Sequence, residues 1–125
     1  MTIKNPPVIS KFGITTEFNV EERFKNHPLL EQYDLKVIFS GWFPKEEANE
    51  IENEFLQRYP KIKYNFKVNG LDEIDGHSEM RYIDEAIVNK IRTELYDLRG
   101  DNTLKSIKER KQFAVKLYFV QFVRK

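Results

Sequence analysis

No cysteine occurs in the 125 residues, so disulfides and thiolate-based zinc or nucleophile chemistry are excluded. No run of about 18 apolar residues exists, so no membrane span is expected. The opening Met-Thr-Ile-Lys-Asn-Pro-Pro lacks the apolar stretch of a secretory leader. A strong charge of one sign is missing too: 21 Lys and Arg face 20 Asp and Glu, a net charge of +1. Internal repeats and low-complexity segments are absent. Together these absences point to a soluble, cytoplasmic protein with no membrane partner.

What is present suits a packed domain. The length fits one compact unit over residues 1–125. Ten Phe and six Tyr favour a core with at least one sheet. The near-zero net charge hides an asymmetry. Residues 100–125 hold 7 basic and 2 acidic side chains, against 14 and 18 before them. A local basic patch attracts a phosphate backbone without a basic whole, although basic tails also serve plain solubility.

The periodicities place the elements. Residues 8–12 read as a short strand after Pro6 and Pro7. A helix is expected from about Val20 to a stop before Pro28, with Asn19 as N-cap and Glu22 at capping-box spacing. Residues 33–43 form the clearest early strand, with Leu35, Val37 and Phe39 on one face and Ile38 and Trp42 on the other. Pro44 opens a helix whose stripe is Ala48, Ile51, Phe55 and Tyr59. Residues 61–68 suit a strand and residues 69–76 a polar loop. Ile83, Ile87, Ile91, Leu95 and Leu98 mark a long helix ended by Gly100, and Thr103 starts a short one. Residues 111–123 give a rich strand signal. Such a strand must pair, and residues 8–12 are the nearest candidate. The fold class expected is α+β: a small antiparallel sheet of about three to four strands, flanked by helices.

One stretch concentrates the chemistry. Lys11-Phe12-Gly13-Ile14-Thr15 reads as a strand end and a glycine-containing turn, followed by Glu22-Arg23-Phe24-Lys25-Asn26-His27 on a helix. Helical spacing would put Arg23 and His27 on one face. An arginine beside such a turn can fork onto a phosphate, although spacing alone favours a solvated surface turn.

The same residues resemble the second half of the GIY-YIG nuclease motif, in its Lys-hydrophobic-Gly-Ile-Thr variant with a Glu-Arg-x-x-x-x-His helix. The family's first strand has no room upstream. Lys116-Leu117-Tyr118-Phe119-Val120-Gln121-Phe122 looks like that missing strand, with Leu117-Tyr118 at its Ile-Tyr position. The resemblance therefore implies a circular permutation in which the C-terminus supplies the first strand. Permutations are tolerated where termini lie close and the cut loop is exposed. The departure from the pattern is Lys11, which stands where Tyr-Ile-Gly has its tyrosine.

The resemblance implies a metal-dependent endonuclease acting on DNA, in the style of small phage-encoded domains. Gly76-His77-Ser78-Glu79-Met80 resembles the segment carrying the family's metal-binding Glu, so Glu79 is the expected ligand for Mg²⁺ or Mn²⁺. Arg23 would clamp the scissile phosphate. Tyr118 would act as base or orient water. A phenol ionises near pH ~10 unperturbed, so a cation such as Lys11 must assist it. His27 would help in proton transfer or touch phosphate, or simply favour a helix C-terminus. Asn89 is a further polar candidate by the same resemblance. Lys105, Lys108, Arg110 and Lys111 suit a nucleic-acid backbone, and equally a solvated helix face. A homodimer is compatible with this reading. The rivals are a module on the same fold that binds nucleic acid without catalysis, and a phage-type inhibitor of a host protein.

Overall fold

The computed structural model describes residues 7–59, 80–81 and 83–125. Strand β1 (Val8–Thr15) leads to a one-turn helix α1 (Val20–Arg23), a 3₁₀ turn (Pro28–Glu31) and strand β2 (Tyr33–Pro44). Helix α2 (Lys45–Arg58), strand β3 (Met80–Arg81), helices α3 (Glu85–Arg99) and α4 (Leu104–Glu109), and strand β4 (Ala114–Arg124) complete the described order. The fold is α+β. Among the described residues, four strands form one antiparallel sheet in the order β2-β4-β1-β3.

The aromatic run near the C-terminus becomes a central strand. β4 pairs with β1 from Val8↔Val123 to Thr15↔Lys116, and with β2 from Tyr33↔Arg124 to Pro44↔Ala114. Central placement explains its composition, because a strand paired on both edges and covered on both faces needs apolar groups throughout.

Direct partners share a face, so the register sorts the side chains. One face carries Ile9, Lys11, Gly13 and Thr15, opposite Phe122, Val120, Tyr118 and Lys116. Val20, Phe24 and Leu29, from α1 and the chain after it, join Ile9, Met80, Tyr118, Val120 and Phe122 in one core cluster. The opposite face packs Phe12, Phe119 and Leu117 under α2 and α3, through Ala48, Ile51, Phe55, Val88, Ile91 and Leu95. Phe12 and Phe119 stack at 4.6 Å, and Phe12 meets Phe55 at 5.1 Å.

Several expectations need correction. The first strand does not end at Phe12. It continues through Gly13 to Thr15, because β4 supplies partners that far, so Gly13 lies inside a strand and makes no turn. The helix expected over residues 20–27 stops at Arg23, where the chain turns away through Asn26 at φ 64° before Pro28. Asn19 is the N-cap, but its side chain makes no capping bond. In β2 a bulge between Val37 and Phe39 inserts a residue. A one-residue insertion reverses the facing of everything beyond it. Leu35 and Val37 therefore face the first cluster, while Phe39 and Phe43 lie in the second and Ile38 packs against it.

The long helix and the short one form in the expected stretches, but the stripe of α3 differs: Ile83 lies before its N-cap, Leu98 is 42% exposed, and Val88, Ile91 and Leu95 are the buried residues. Asp84 caps α3 by accepting from the Ala86 N–H at 2.9 Å, and Gly100 follows at φ 52°. Thr103 and Ser106 cap α4 reciprocally at 3.0 and 2.9 Å. The strand expected over 61–68 and the loop over 69–76 lie outside the described residues.

Candidate functional site: a buried lysine–tyrosine pair and an open aromatic groove

The β1–β4 register places Tyr118 directly opposite Gly13 and Lys11 opposite Val120, all on one face. Lys11 and Tyr118 are thus diagonal neighbours, which long side chains reach readily. Lys11 Nζ donates to the Tyr118 hydroxyl at 3.3 Å and lies 5.5 Å from the ring centroid. Gly13 makes room for this. A Cβ there would collide with the Tyr118 hydroxyl and the ring carbon bearing it. Both members of the pair are 1% exposed. Phe24 covers Tyr118 edge-on at 5.4 Å.

A buried ammonium needs polar partners, and the Tyr118 oxygen is one. Across the other face a second polar row runs from Arg81 through Ser10 to Gln121, all buried. Gln121 Nε2 donates to Ser10 Oγ at 3.2 Å. Arg81 Nε donates to the Leu56 carbonyl at 3.1 Å, satisfying one of the final carbonyls of α2.

The remaining candidates separate. Arg23 is half-buried at the end of α1, with its guanidinium 6.0 Å from the Phe24 ring centroid. It belongs to the segment that covers Tyr118. His27 does not share a helical face with Arg23, since α1 has already ended. It is the N-cap of the 3₁₀ turn: the Leu29 N–H donates to its Nδ1 at 3.2 Å, and its ring packs 5.3 Å from Phe122. That bond puts the proton of a neutral ring on Nε2. Glu79 and His77 lie outside the described residues. Asn89 is exposed on α3, which packs on the sheet face opposite Lys11 and Tyr118, so the two are not brought together.

The basic candidates cluster on and after α4. Lys105 is solvated and only 4.0 Å from Glu109. Arg110 turns back on its own helix, donating to Ser106 O at 3.3 Å and Asn102 Oδ1 at 2.9 Å. Lys111 adopts φ 57° as the chain leaves α4. Lys108 instead lines a groove of about 350 Å³ with Phe18, Trp42, Leu104 and Phe113.

Sequence reasoning missed that groove. Phe18 and Phe113 are 67% and 62% exposed. Lys116 Nζ sits 5.2 Å from the ring centroids of both Phe18 and Trp42 and donates to the Phe18 carbonyl. Burial holds the Lys116 ammonium below the ordinary lysine range, and Glu21 partly opposes the shift. No periodicity signals the groove, because its members come from four separate segments. Aromatic residues next to turn boundaries were the available hint.

Among the described residues, no three His, Asp or Glu side chains converge as a metal cage. No described helix is long and apolar enough to cross a membrane. The class defined by fold and site is thus an α+β domain with a buried Lys–Tyr pair and, apart from it, an open aromatic groove. No protein-family model, curated protein or solved structure matches the chain.

Proposed function

We propose that this chain is a GIY-YIG-like endonuclease, circularly permuted, that hydrolyses phosphodiester bonds in DNA. The observation that carries the reading is the Lys11–Tyr118 hydrogen bond on an antiparallel pair formed by the first and last strands. A permuted opening hairpin requires that pairing, and the proposed chemistry requires a cation at the phenol.

In this reading Tyr118 takes a proton from the attacking water. The water oxygen bonds to phosphorus, and the bond to the leaving oxygen breaks with its electron pair. The ammonium of Lys11 favours the ionised phenol that accepts the proton. Arg23 offers paired N–H donors to the phosphate oxygens as charge builds there. A Mg²⁺ or Mn²⁺ ion held by the Glu79 carboxylate would supply Lewis-acid stabilisation of the leaving oxygen. Such a site needs one carboxylate and water. Tyr118 is buried, but Lys116, its next neighbour on the same face of β4, lies over the Phe18 and Trp42 rings that line the groove.

One observation favours a second reading, a nucleic-acid-binding module without catalysis. Both Lys11 and Tyr118 are 1% exposed, as core residues are. Cleavage of supercoiled plasmid, single-stranded DNA and RNA, with Mg²⁺, Mn²⁺ or EDTA, separates the two. Metal-dependent cutting lost in Glu79→Ala, Arg23→Ala and Tyr118→Phe supports the permuted nuclease. Cutting lost only with Glu79 and Arg23 retains a nuclease and removes Tyr118 from the chemistry. No cutting on any substrate leaves the binding module.

A further inference from the structure

The groove at the open edge lies apart from the buried pair and has its own chemistry. We infer that it is a stacking site for one unpaired nucleobase of a single-stranded nucleic acid, with Lys108 and Lys116 beside the flanking phosphates. The inference rests on the reading that the chain engages nucleic acid, though not on its cutting it.

Three observations carry it. Two phenyl rings, Phe18 and Phe113, stand more than half exposed on one groove, where burial would be their default. The rings are held rather than loose: Lys116 lies over Phe18 and Trp42, and Lys45 lies 5.7 Å from the centroid of Phe113. Finally, Lys108 lines the same groove and Lys116 borders it, so positive charge surrounds the aromatic surface. Aromatic platforms flanked by cations bind single strands with little sequence preference, since every base has a π-face. A purely acidic peptide would use the lysines but has no flat apolar group to lay on the exposed phenyls. A duplex keeps its bases stacked on one another and inserts one only at the cost of unpairing and unstacking it.

The location has a consequence. Thr15, Lys116 and Trp42 form one cross-strand row, and Gly13, Tyr118 and Ser40 form the next row on the same face. Same-face rows are about 7 Å apart along a strand. A base in the groove would therefore hold the adjoining backbone next to the Tyr118 row.

Trp42 is the single tryptophan, so its fluorescence reports on the groove. The test titrates the full chain in EDTA with (dT)8, (U)8, an eight-base-pair duplex and octaglutamate. Fluorescein-labelled (dT)8 anisotropy serves as a second readout, independent of Trp42. Quenching by (dT)8 or (U)8, with at least tenfold weaker duplex binding, is expected, and the tighter of the two names the polymer. Phe18→Ala and Phe113→Ala are each expected to weaken binding about tenfold while melting like the wild type. Equal affinity for duplex, tighter binding of octaglutamate, or unaltered binding by both Phe variants overturns the stacking site. Binding without cleavage in the separate Mg²⁺ assay overturns the nuclease and leaves the groove. Wild-type cleavage by both Phe variants, with unaltered binding, does the reverse.

Discussion

The Tyr118 ring lies over Gly13, in space that any other side chain at position 13 would occupy. The glycine sits in the middle of a strand, where its flexibility is a cost. The return is close approach, which lets the tyrosine reach its hydrogen bond with Lys11. Gly13→Ala is therefore expected to lower stability by about 1–3 kcal/mol, the usual range for overpacking. Urea denaturation checks this. In a Tyr118→Leu background, which removes the phenol and shortens the side chain, the same alanine should cost clearly less. Equal costs in both backgrounds would show that the ring is not what Gly13 accommodates.

Removing the Tyr118 hydroxyl alone separates chemistry from packing. Tyr118→Phe keeps the edge-on contact with Phe24 and takes away a partner of a buried ammonium. A loss of about 1–3 kcal/mol in urea denaturation is expected. If the phenol is the base, cleavage should also fall by about 100-fold or more in folded protein. A stability loss with unaltered cutting would confine Tyr118 to the core.

Arg81 is buried and anchors the end of α2 to β3, through the Leu56 carbonyl. Arg81→Met removes that donor and leaves the carbonyl unpaired by it. A cost of about 1–3 kcal/mol is expected, read from the denaturation midpoint at unchanged slope. No change would mean that water replaces the guanidinium without penalty.

Lys116 gives a pH test. Burial depresses its affinity for a proton in the folded chain, so the unfolded chain binds more protons as this group titrates. Stability from this site therefore rises with pH, starting at the lowered native value and ending at the ordinary one, near pH ~10.4. Below that window the charged lysine is a standing cost. Wild type compared with Lys116→Met should show a stability gap favouring the methionine that narrows as pH rises from the lowered native value towards the ordinary lysine value, near pH ~10.4. A gap that is constant or widens would refute this sign. The same variant is expected to weaken binding of (dT)8 and to flatten its salt dependence by about 0.7 for one lost phosphate contact.

Several features were readable because they depend on local pattern. The stripe Ala48, Ile51 and Phe55 does face the core from α2, and Thr103 does start α4. Both follow from helical periodicity and capping chemistry, which act within a few residues. The run over 111–123 announced a strand in need of partners, and β1 is one of the two it has. The bulge after Val37 was not legible, because alternation assumes an unbroken period of two. The stop at Arg23 was missed for a related reason. Residues 20–27 have adequate helix propensity, but burial of Phe24 and the turn at Asn26 took precedence.

The sequence by itself determined that this is a cysteine-free α+β chain and where its longer helices and strands lie, because those depend on composition and short-range spacing. The pairing of Lys11 with Tyr118 was expected from the family resemblance and its implied permutation, and not from local pattern. Only the tertiary structure decided that the pair is buried and that Gly13 is the floor beneath the phenol. It alone gathered Phe18, Trp42, Leu104, Lys108 and Phe113 around one groove. Those outcomes depend on register across a central strand joining residues more than a hundred positions apart. The bulge in β2 sets which side chains share a face there, and no local period encodes it.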